Sequence, residues 1–361
     1  MKVSYHVIKD VKLDGRVESD EDIAATSSDE ERRLRYSITS LCYPGDGKLY
    51  CGVTNFVGDI LQEFDLAGGT FRSLGFTELA DPNDHKIHKG LWYDGQKNSL
   101  FFGIASLSPL PKMLGKGGRL FRYDIAAESY EQLGVPKPDC YIQATSYDPK
   151  RQIMTVFTEP DHSFTVFELD GRKVRRSVAV GSIVHIPGID PAGGVWGTHS
   201  NQHAFFRYNP DTDTMEFPQG CRMPTAQQAR NLMYDGAGPV DCALTGPDGQ
   251  LYVASAMGEV YRINPESGEL AYIARPVPHT RLPAMVFGPD GRLYGIGGDK
   301  YSNALWALDV DTARTEVIGK VETEDGLTLF RPHDMVCIDG VFYIGETDNP
   351  DRSGYLWQCE V

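Results

Sequence analysis

The stretch Gly288-Pro289-Asp290-Gly291-Arg292-Leu293-Tyr294 carries the clearest fold signal in the chain, and residues 246–252, GPDGQLY, nearly repeat it. Proline presets one φ angle, aspartate can hydrogen-bond the backbone nearby, and glycine accepts a positive φ, so Pro-Asp-Gly favours a tight turn. Short apolar runs flank the turn on both sides. The stretch therefore predicts a β-hairpin.

Looser copies of this hairpin recur along the whole chain. In each copy the strand that follows the turn contains an apolar anchor residue, and these anchors are Leu49, Leu100, Met154, Val195, Leu251, Leu293 and Val341. They are spaced by roughly 40–55 residues, which suits four-stranded propeller blades. Most copies are followed by a third strand that ends near Asp or Asn, a turn and a fourth strand. The repeat predicts an all-β fold, a seven-bladed β-propeller, with six or eight blades as the alternatives.

The last repeat, 330–361, contains three strands, and VSYHVIKDV (3–11) can supply the fourth. We therefore expect the ring to be closed by an N-terminal strand that completes the C-terminal blade, which leaves no exposed sheet edge. A single domain would then cover residues 1–361. The predicted blades span 36–76, 84–136, 140–180, 185–220, 238–277, 281–321 and 330–361 plus 3–11.

Charge and composition limit the partners. The chain has 35 Lys and Arg against 50 Asp and Glu, a formal net charge of −15. This excess argues against nucleic acid or an anionic membrane, but it allows a small anionic substrate in a local basic pocket. The N-terminus has no long apolar segment, no apolar run is long enough to span a membrane, and the seven cysteines form no CxxC pair. These features predict a cytoplasmic protein with reduced, buried thiols.

Three stretches do not fit the blade template. Residues 13–34 are charged and predict an exposed connector with a short helix. Residues 105–118 extend a link within the second blade. Residues 218–238 join two blades and predict a helix near 225–233. The Pro-Asp-Gly turns join the first and second strands of a blade, so the last two insertions share the opposite face. Insertions in propellers concentrate where ligands bind. We expect the chemistry on that face.

Eight of the nine histidines, all except His6, fall on that predicted face. The residues expected to be catalytic are His88, Tyr141, His199 and Arg331. Those expected to bind substrate are His85, Lys86, Arg230, Tyr234, Arg281, Tyr301 and His333. His85 and His88 are three apart, so only one can face the channel from a strand, and His88 lies deeper in it.

A metal site is a further possibility on this face. His199 and His203 are four apart in THSNQH and could bind a metal if the loop turns back on itself. The cofactor prediction is therefore none, or a single divalent metal. Gly-x-Ser-x-Gly, Walker and dinucleotide motifs do not occur in the sequence, which argues against serine-nucleophile and nucleotide chemistry.

Histidine, tyrosine and arginine around a channel suit removal of a proton α to a carboxylate. In a uronic acid, an arginine or a metal would stabilise the charge that develops on the carboxylate. Histidine or tyrosine would take the proton, and a second such group would protonate the leaving glycosidic oxygen. This is β-elimination, and the expected partner is a small anionic oligosaccharide.

The run HKIHKGLWYDGQKNSLFFGIAS (85–106) resembles the second blade of seven-bladed propeller polysaccharide lyases, particularly the ulvan-lyase group. The resemblance implies cleavage of uronate-containing chains by histidine, tyrosine and arginine on the funnel face, with His88 at the position of the family's strand histidine. The family places another histidine at the end of the next strand, where this chain has Ile104-Ala105-Ser106. A Gly-Thr-His ending occurs two blades later, at His199.

Three alternatives also use a propeller fold. A propeller glycoside hydrolase acting on glucuronate-linked sugars would favour paired carboxylates such as Glu159 and Glu346. A gluconolactonase-like hydrolase would need a Glu/Asn/Asp calcium site. A non-catalytic binding propeller would hold a stoichiometric protein partner and turn over no small molecule.

Overall fold

In the computed structural model, the described residues fall into nine ranges: 1–8, 36–55, 59–81, 84–105, 117–181, 188–199, 204–223, 240–349 and 351–361. Within these ranges the regular elements are β-strands, apart from one 3₁₀ turn at Phe76–Glu78. The same ranges contain no helix with the length and hydropathy needed to cross a membrane.

The strands form seven four-stranded units, numbered along the chain. Unit 1 contains β2 (Ser37–Cys42), β3 (Lys48–Thr54), β4 (Leu61–Asp65) and β5 (Thr70–Ser73), and unit 2 contains β6 (Lys86–Asp94), β7 (Ser99–Ala105), β8 (Leu120–Asp124) and β9 (Ser129–Gly134). Unit 3 contains β10 (Tyr141–Asp148), β11 (Ile153–Glu159), β12 (Ser163–Glu168) and β13 (Lys173–Ala179). Unit 4 contains β14 (Gly188–Ile189), β15 (Val195–His199), β16 (Ala204–Asn209) and β17 (Thr214–Glu216).

Unit 5 contains β18 (Val240–Thr245), β19 (Leu251–Ser255), β20 (Val260–Ile263) and β21 (Leu270–Ala274). Unit 6 contains β22 (Ala284–Phe287), β23 (Leu293–Asp299), β24 (Ser302–Asp309) and β25 (Arg314–Gly319). Unit 7 contains β26 (Pro332–Ile338), β27 (Val341–Glu346), β28 (Leu356–Glu360) and, from the N-terminus, β1 (Lys2–His6). Within each unit, successive strands pair antiparallel. One residue pair, Thr54 with Lys86, also joins units 1 and 2 into a continuous sheet.

Unit 7 confirms the predicted closure of the ring. Strand β1 pairs antiparallel with β28, so that Lys2 lies opposite Glu360 and His6 lies opposite Leu356. The N-terminal strand therefore supplies the fourth strand of the C-terminal unit. This pairing covers the edge that β28 would otherwise expose.

The hydrophobic core lies between the units. Buried apolar side chains of the described residues form one cluster at each junction of neighbouring units, including the junction of unit 7 with unit 1, where Ile38 and Tyr343 pack together. Each strand face buries its apolar residues against the next unit, because a single four-stranded sheet cannot cover them alone. The predicted all-β propeller is confirmed, and its seven four-stranded units are compatible with seven blades.

The Pro-Asp-Gly turns behave as the sequence predicts. The N–H of Gly291 donates to the carbonyl of Gly288 (3.1 Å), and Gly291 has a φ of 82°, which favours glycine. The Asp290 carboxylate accepts a hydrogen bond from the Tyr294 hydroxyl at 2.9 Å. In the copy at 246–252, Tyr252 donates to Asp248 at 2.8 Å. The aspartate thus joins each turn to its following strand, which explains the spacing of Asp and Tyr in the repeat.

Two predicted helices lie outside the described residues, namely the one within 13–34 and the one near 225–233. Most of the predicted insertion at 105–118 also lies outside them.

Candidate active site in the central tunnel

The first strand of each unit lies nearest the propeller axis. Neighbouring inner strands contact each other around the ring, for example β26 with β2, β2 with β6, and β6 with β10. Five of these strands shift register near their start, at Thr39 in β2, His88 to Gly90 in β6, Gln143 in β10, Asp241 in β18 and His333 in β26. A bulge re-aims the side chain that it carries. The bulges therefore place a ring of mostly polar residues around the axis.

Two of these bulges bring His88 and His333 into contact. Their Nε2 atoms lie 3.1 Å apart, and their rings meet edge to face with centroids 4.9 Å apart. His88 Nδ1 lies 2.6 Å from the carbonyl oxygen of Gln143. Both histidines are buried, although they come from units 2 and 7. The sequence predicted both as site residues, and the structure brings them together.

The partners of this histidine pair fix its tautomers. A carbonyl oxygen can only accept, so His88 Nδ1 carries a proton. In the neutral pair, His88 Nε2 then accepts a hydrogen bond from His333 Nε2–H. His333 Nδ1 is left as an unprotonated acceptor, and this buried atom has no hydrogen-bond partner. Buried polar atoms without partners are uncommon and need a reason.

Lys89 follows His88 and points across the axis. Its Nζ donates to the carbonyl oxygens of Asp241 and Pro283, both at 2.9 Å, in units 5 and 6. The residue is 7% exposed and has a φ of 40°, in the left-handed region. Burial lowers the pKa of the Lys89 ammonium, and the neighbouring acidic groups, Asp334 among them, offset part of this effect. A cation held in a strained, buried position is typical of a functional site.

Two aspartates accompany Lys89. Asp334 accepts hydrogen bonds from the backbone N–H groups of Leu41 (2.8 Å) and Met335 (2.9 Å), and Asp241 accepts one from Leu282 (3.0 Å). Burial raises the pKa of the Asp334 carboxyl to about 6, although Lys89 and the two backbone donors lower it. The site therefore places two carboxyl groups, which are anionic when ionised, beside an ammonium group, which is cationic.

Arg281 adds a second buried cation. It is 6% exposed, with a φ of 67°, and two of its guanidinium nitrogens, Nε and Nη1, have no hydrogen-bond partner. Its nearest carboxylate contact is an ion pair at 4.0 Å between Nη1 and Asp299 Oδ1. A guanidinium presents a planar set of donors that matches a carboxylate. Arg281 therefore has unused donors of the kind that bind an anionic ligand.

These charges act on His333. Burial lowers the pKa of His333 well below its usual value, and the positive charges of Lys89, His88, Lys86 and Arg281 lower it further. A cation is disfavoured where it is desolvated and where other cations are close. His333 is therefore neutral at physiological pH.

Arg331, predicted to be catalytic, is occupied by carboxylates. Its Nε lies 2.6 Å from Asp299 Oδ1 and its Nη1 lies 2.8 Å from Asp348 Oδ2. Burial disfavours the charged form, but hydrogen bonds and ion pairs with these two aspartates raise the pKa of Arg331. Arg281 has more unused donors, which makes it the better candidate for neutralising a substrate carboxylate.

Tyr141 and Tyr301 lie at strand ends on the predicted face. Tyr141 begins β10, and its hydroxyl donates to the Glu159 carboxylate. Tyr301 is 39% exposed in the tight turn between β23 and β24, where its hydroxyl donates to Asp351 at 2.9 Å. Burial, and then Asp351, raise the pKa of Tyr301 to about 12. The Tyr141 and Tyr301 hydroxyls are therefore oriented by carboxylates.

The remaining described candidates are His85, Lys86 and His199. His85 is buried beside the start of β6, and Lys86 pairs with Thr54 and Ala105. His199 ends β15 against the ring of Phe217, with centroids 5.0 Å apart, and burial lowers its pKa. The contacts of His199 do not include the His88–His333 pair, so its catalytic role stays a prediction.

Three predicted residues, Arg230, Tyr234 and His203, lie outside the described residues. The proposed His199–His203 metal pair therefore stays a prediction. Within the described ranges, no group of three or more His, Cys, Asp or Glu side chains is arranged to hold a metal.

Sequence reasoning missed Lys89 as a site residue. Strict alternation along β6 would place it on the opposite side of the strand from His88. The bulge between Ile87 and Leu91 breaks that alternation. A glycine at position 90 is the one available signal, because a Cβ there would clash with the Thr145 side chain, which shows how tightly β6 and β10 approach each other.

Comparison with known proteins gives the fold without a family. No protein-family profile matches the chain, and no curated protein matches it. The chain is a β-propeller. A streptogramin B lyase structure has a TM-score of 0.64 and 16% identity, with 91% of this chain and 93% of that chain covered. A catalytically inactive virginiamycin B lyase from Staphylococcus aureus with quinupristin has a TM-score of 0.66 and 14% identity, over 91% and 96%.

A computationally designed protein, Ika8, is also similar, with a TM-score of 0.55 and 14% identity over 89% of this chain and 83% of that chain. Likeness at this level of identity shows the fold alone, because one propeller fold supports many unrelated activities.

Proposed function

We propose that the protein is a lyase that cleaves uronate-containing oligosaccharides by β-elimination at the tunnel histidines. The observation that carries this proposal is the buried His333 Nδ1, an acceptor without a partner. It belongs to a ring already bonded to His88, and it lies near buried cations. An unsatisfied acceptor in such a place is suited to taking a proton from a substrate.

The histidine pair offers a route for that proton. His333 Nδ1 takes the C5 proton of the uronate, and the proton on His333 Nε2 passes to His88 Nε2 across 3.1 Å. His333 is then neutral again, as the other tautomer, and His88 carries the positive charge. Its Nδ1–H donates to the Gln143 carbonyl, which stabilises the cation. The weak basicity of His333 is thus offset because the proton passes on to His88.

Arg281 supplies the charge stabilisation. Removing the C5 proton moves an electron pair toward the substrate carboxylate, and the charge on its oxygens increases. The unpartnered Nε and Nη1 of Arg281 are donors for those oxygens. Donors already fixed in a buried site stabilise such charge strongly, because they need no reorganisation. Arg281 takes here the role expected for Arg331.

Departure of the leaving group completes the elimination. The electron pair forms the C4–C5 double bond, the C4–O bond breaks, and the leaving oxygen takes the proton of the Tyr141 hydroxyl. Glu159 orients that hydroxyl, and Tyr141 begins the same strand that carries Gln143. Proton exchange with water then returns the histidine pair and Tyr141 to their starting forms.

The hydrolase alternative has less support from the side chains. It relies on a carboxylate pair such as Glu159 and Glu346, but Glu346 is fully buried and ion-paired with Arg352. Its oxygens also accept hydrogen bonds from backbone and side-chain donors. A carboxylate bound in this way is not free to activate water. The names of two structures with the same fold agree with a lyase, but they refer to streptogramin B and virginiamycin B.

The test is incubation with a panel of uronate oligosaccharides while ultraviolet absorbance is followed, because elimination creates a conjugated double bond. His333→Gln retains a nitrogen near the Nε2 position and removes the Nδ1 acceptor. We expect it to reduce kcat by about 10²- to 10⁴-fold with little change in Tm. His279→Gln is the matched control, since His279 lies on the same face with its Nδ1 3.4 Å from Ser302 Oγ, and should retain activity.

The outcomes separate the alternatives. New reducing ends without absorbance would support a hydrolase. Turnover of quinupristin instead of uronates would retain the elimination and change the substrate class. No turnover of any compound by well-folded protein would overturn the proposal and favour a binding propeller.

A further inference from the structure

The Lys89 side chain crosses the centre of the propeller. It starts from β6 in unit 2, and its Nζ binds carbonyl oxygens of Asp241 in unit 5 and Pro283 at the start of unit 6. In the ring order, neither unit is a neighbour of unit 2. A side chain that joins opposite units must pass through the axis.

This crossing lies directly behind the histidine pair. Strands β6 and β26 run away from the predicted site face, and Lys89 and Asp334 each follow one of the paired histidines along its strand. The tunnel therefore has two layers, the His88–His333 pair and then Lys89 with Asp241 and Asp334. Lys89 links the second layer across its full width.

We propose that Lys89 is a positioning residue that closes the tunnel behind the histidine pair and, together with burial, keeps His333 a neutral proton acceptor. The inference deepens the proposed lyase function and rests on it. Lys89 acts through His333, so it need not touch the substrate. It also restricts the ligand to the mouth on the histidine side.

The charged groups around the two residues define this effect. His333 faces positive charge from Lys86, His88, Lys89 and Arg281, of which Lys89 has the largest effect after burial. Lys89 itself faces Cys242, Asp241 and Asp334, which favour its charge, and Arg281, which opposes it. Removing the Lys89 charge would leave His333 next to fewer cations. The pKa of His333 would then rise toward its usual value.

The backbone supports a functional reading of Lys89. Its φ of 40° places a side-chain-bearing residue in the left-handed region, and its ammonium is buried. Both features are unfavourable for folding, and a strained residue persists where the surrounding structure holds it. An apolar residue would avoid the burial of charge, so the lysine is explained by its charge and by the two hydrogen bonds that its Nζ donates.

The experiment is an NMR titration of histidine-labelled protein, with His333→Gln used to assign the His333 signals. Lys89→Met retains length and removes charge, and we expect the pKa of His333 to rise by about one to two units. Lys89→Arg retains the charge and should leave it unchanged. Lys86→Met is the matched control and should produce a smaller rise.

The pH profile of kcat/KM provides the second measurement. A base must be unprotonated to act, so the acid limb of the profile should move to higher pH in Lys89→Met by the same shift. If Lys89→Met does not fold, Lys89→Gln removes the charge and retains an amide NH2 group that can donate hydrogen bonds. An unchanged His333 pKa in the charge-free variants would overturn the inference. The titration needs no substrate, so a His333 shift without any turnover would sink the lyase proposal alone.

Discussion

Two carboxylates of unit 7, the fully buried Glu346 and the half-buried Asp334, differ in how their oxygens are satisfied. Glu346, at the end of β27, has no exposed surface, and its donors are Phe330 N, Asn349 Nδ2, Arg352 Nη1 and Nη2, Tyr355 N and Trp357 Nε1. Asp334, near the start of β26, accepts from two backbone N–H groups and faces Lys89. The first cluster is saturated. In the second cluster the negative charge of Asp334 has fewer compensating donors.

The arginines of the two regions differ in the same way. Both Nη atoms of Arg352 bind Glu346, and its guanidinium lies 3.8 Å from the ring centroid of Tyr355. Two nitrogens of Arg281 have no hydrogen-bond partner. Buried polar groups normally find partners, and proteins depart from this rule at functional sites. Buried polar groups with a full set of hydrogen-bond partners therefore belong to the scaffold. Buried polar groups that lack partners identify the tunnel as the candidate site.

The largest expected effect is in the saturated cluster. Arg352→Leu leaves the Glu346 carboxylate buried without its cation, and we expect the free energy of unfolding to fall by about 3–5 kcal/mol. Urea denaturation followed by tryptophan fluorescence measures the change. Arg314→Leu, at an exposed arginine of β25, is the control and should change stability by about 0.5 kcal/mol or less. A similar small effect for Arg352→Leu would mean that saturation does not stabilise unit 7.

Asp334→Asn tests the poorly compensated carboxylate through pH. The pKa of Asp334 is raised to about 6 in the folded state, so its contribution to stability is fully present below its unfolded value of 3.8 and is lost as pH rises through about 6. Relative to wild type, Asp334→Asn should gain about 1–3 kcal/mol of unfolding free energy between pH 4 and pH 7.

Urea midpoints across that pH range measure the Asp334 effect. Asp311→Asn, at an exposed aspartate between β24 and β25, is the matched control and should track wild type at every pH. A constant difference between Asp334→Asn and wild type across the range would contradict the prediction. If the pH-dependent gain is present but the free energy of unfolding is also lower by the same amount at every pH, that constant loss comes from the backbone hydrogen bonds that the amide no longer accepts.

Arg281→Leu should have the smallest effect and the opposite sign to Arg352→Leu. Removing a buried guanidinium with two unsatisfied nitrogens should raise the free energy of unfolding by about 1–2 kcal/mol. The same change should weaken the binding of glucuronate, measured by calorimetry. A loss of stability would show that Arg281 belongs to the scaffold. The same substitution at two arginines thus separates the two regions.

The sequence predicts the scaffold well because its signals are local. The Pro-Asp-Gly turn needs three adjacent residues, and the Tyr294–Asp290 bond joins residues four positions apart. His88 also follows from local reasoning, since its position in the first strand of its unit places it toward the axis. Such features repeat with the chain, so one good copy reveals the others.

The site depends on contacts between distant parts of the chain. Alternation along β6 argues against Lys89, and the bulge that re-aims it becomes visible once β6 is paired with β7. The occupation of Arg331 by Asp299 and Asp348 arises between strands of different units. The sequence shows that both arginines lie on one face. It does not show which of them keeps its donors unused.

The pairing of β1 with β28 also has a consequence for synthesis. Lys2 and Glu360 are separated by 358 positions and form an ion pair at 3.2 Å. Strand β1 therefore leaves the ribosome before the strands of units 1 to 6, and its partner β28 leaves after them. Long-range pairing of this kind slows folding, because loop closure comes before the contacts that stabilise it. The Lys89 crossing, which needs unit 6, is assembled late in the same process.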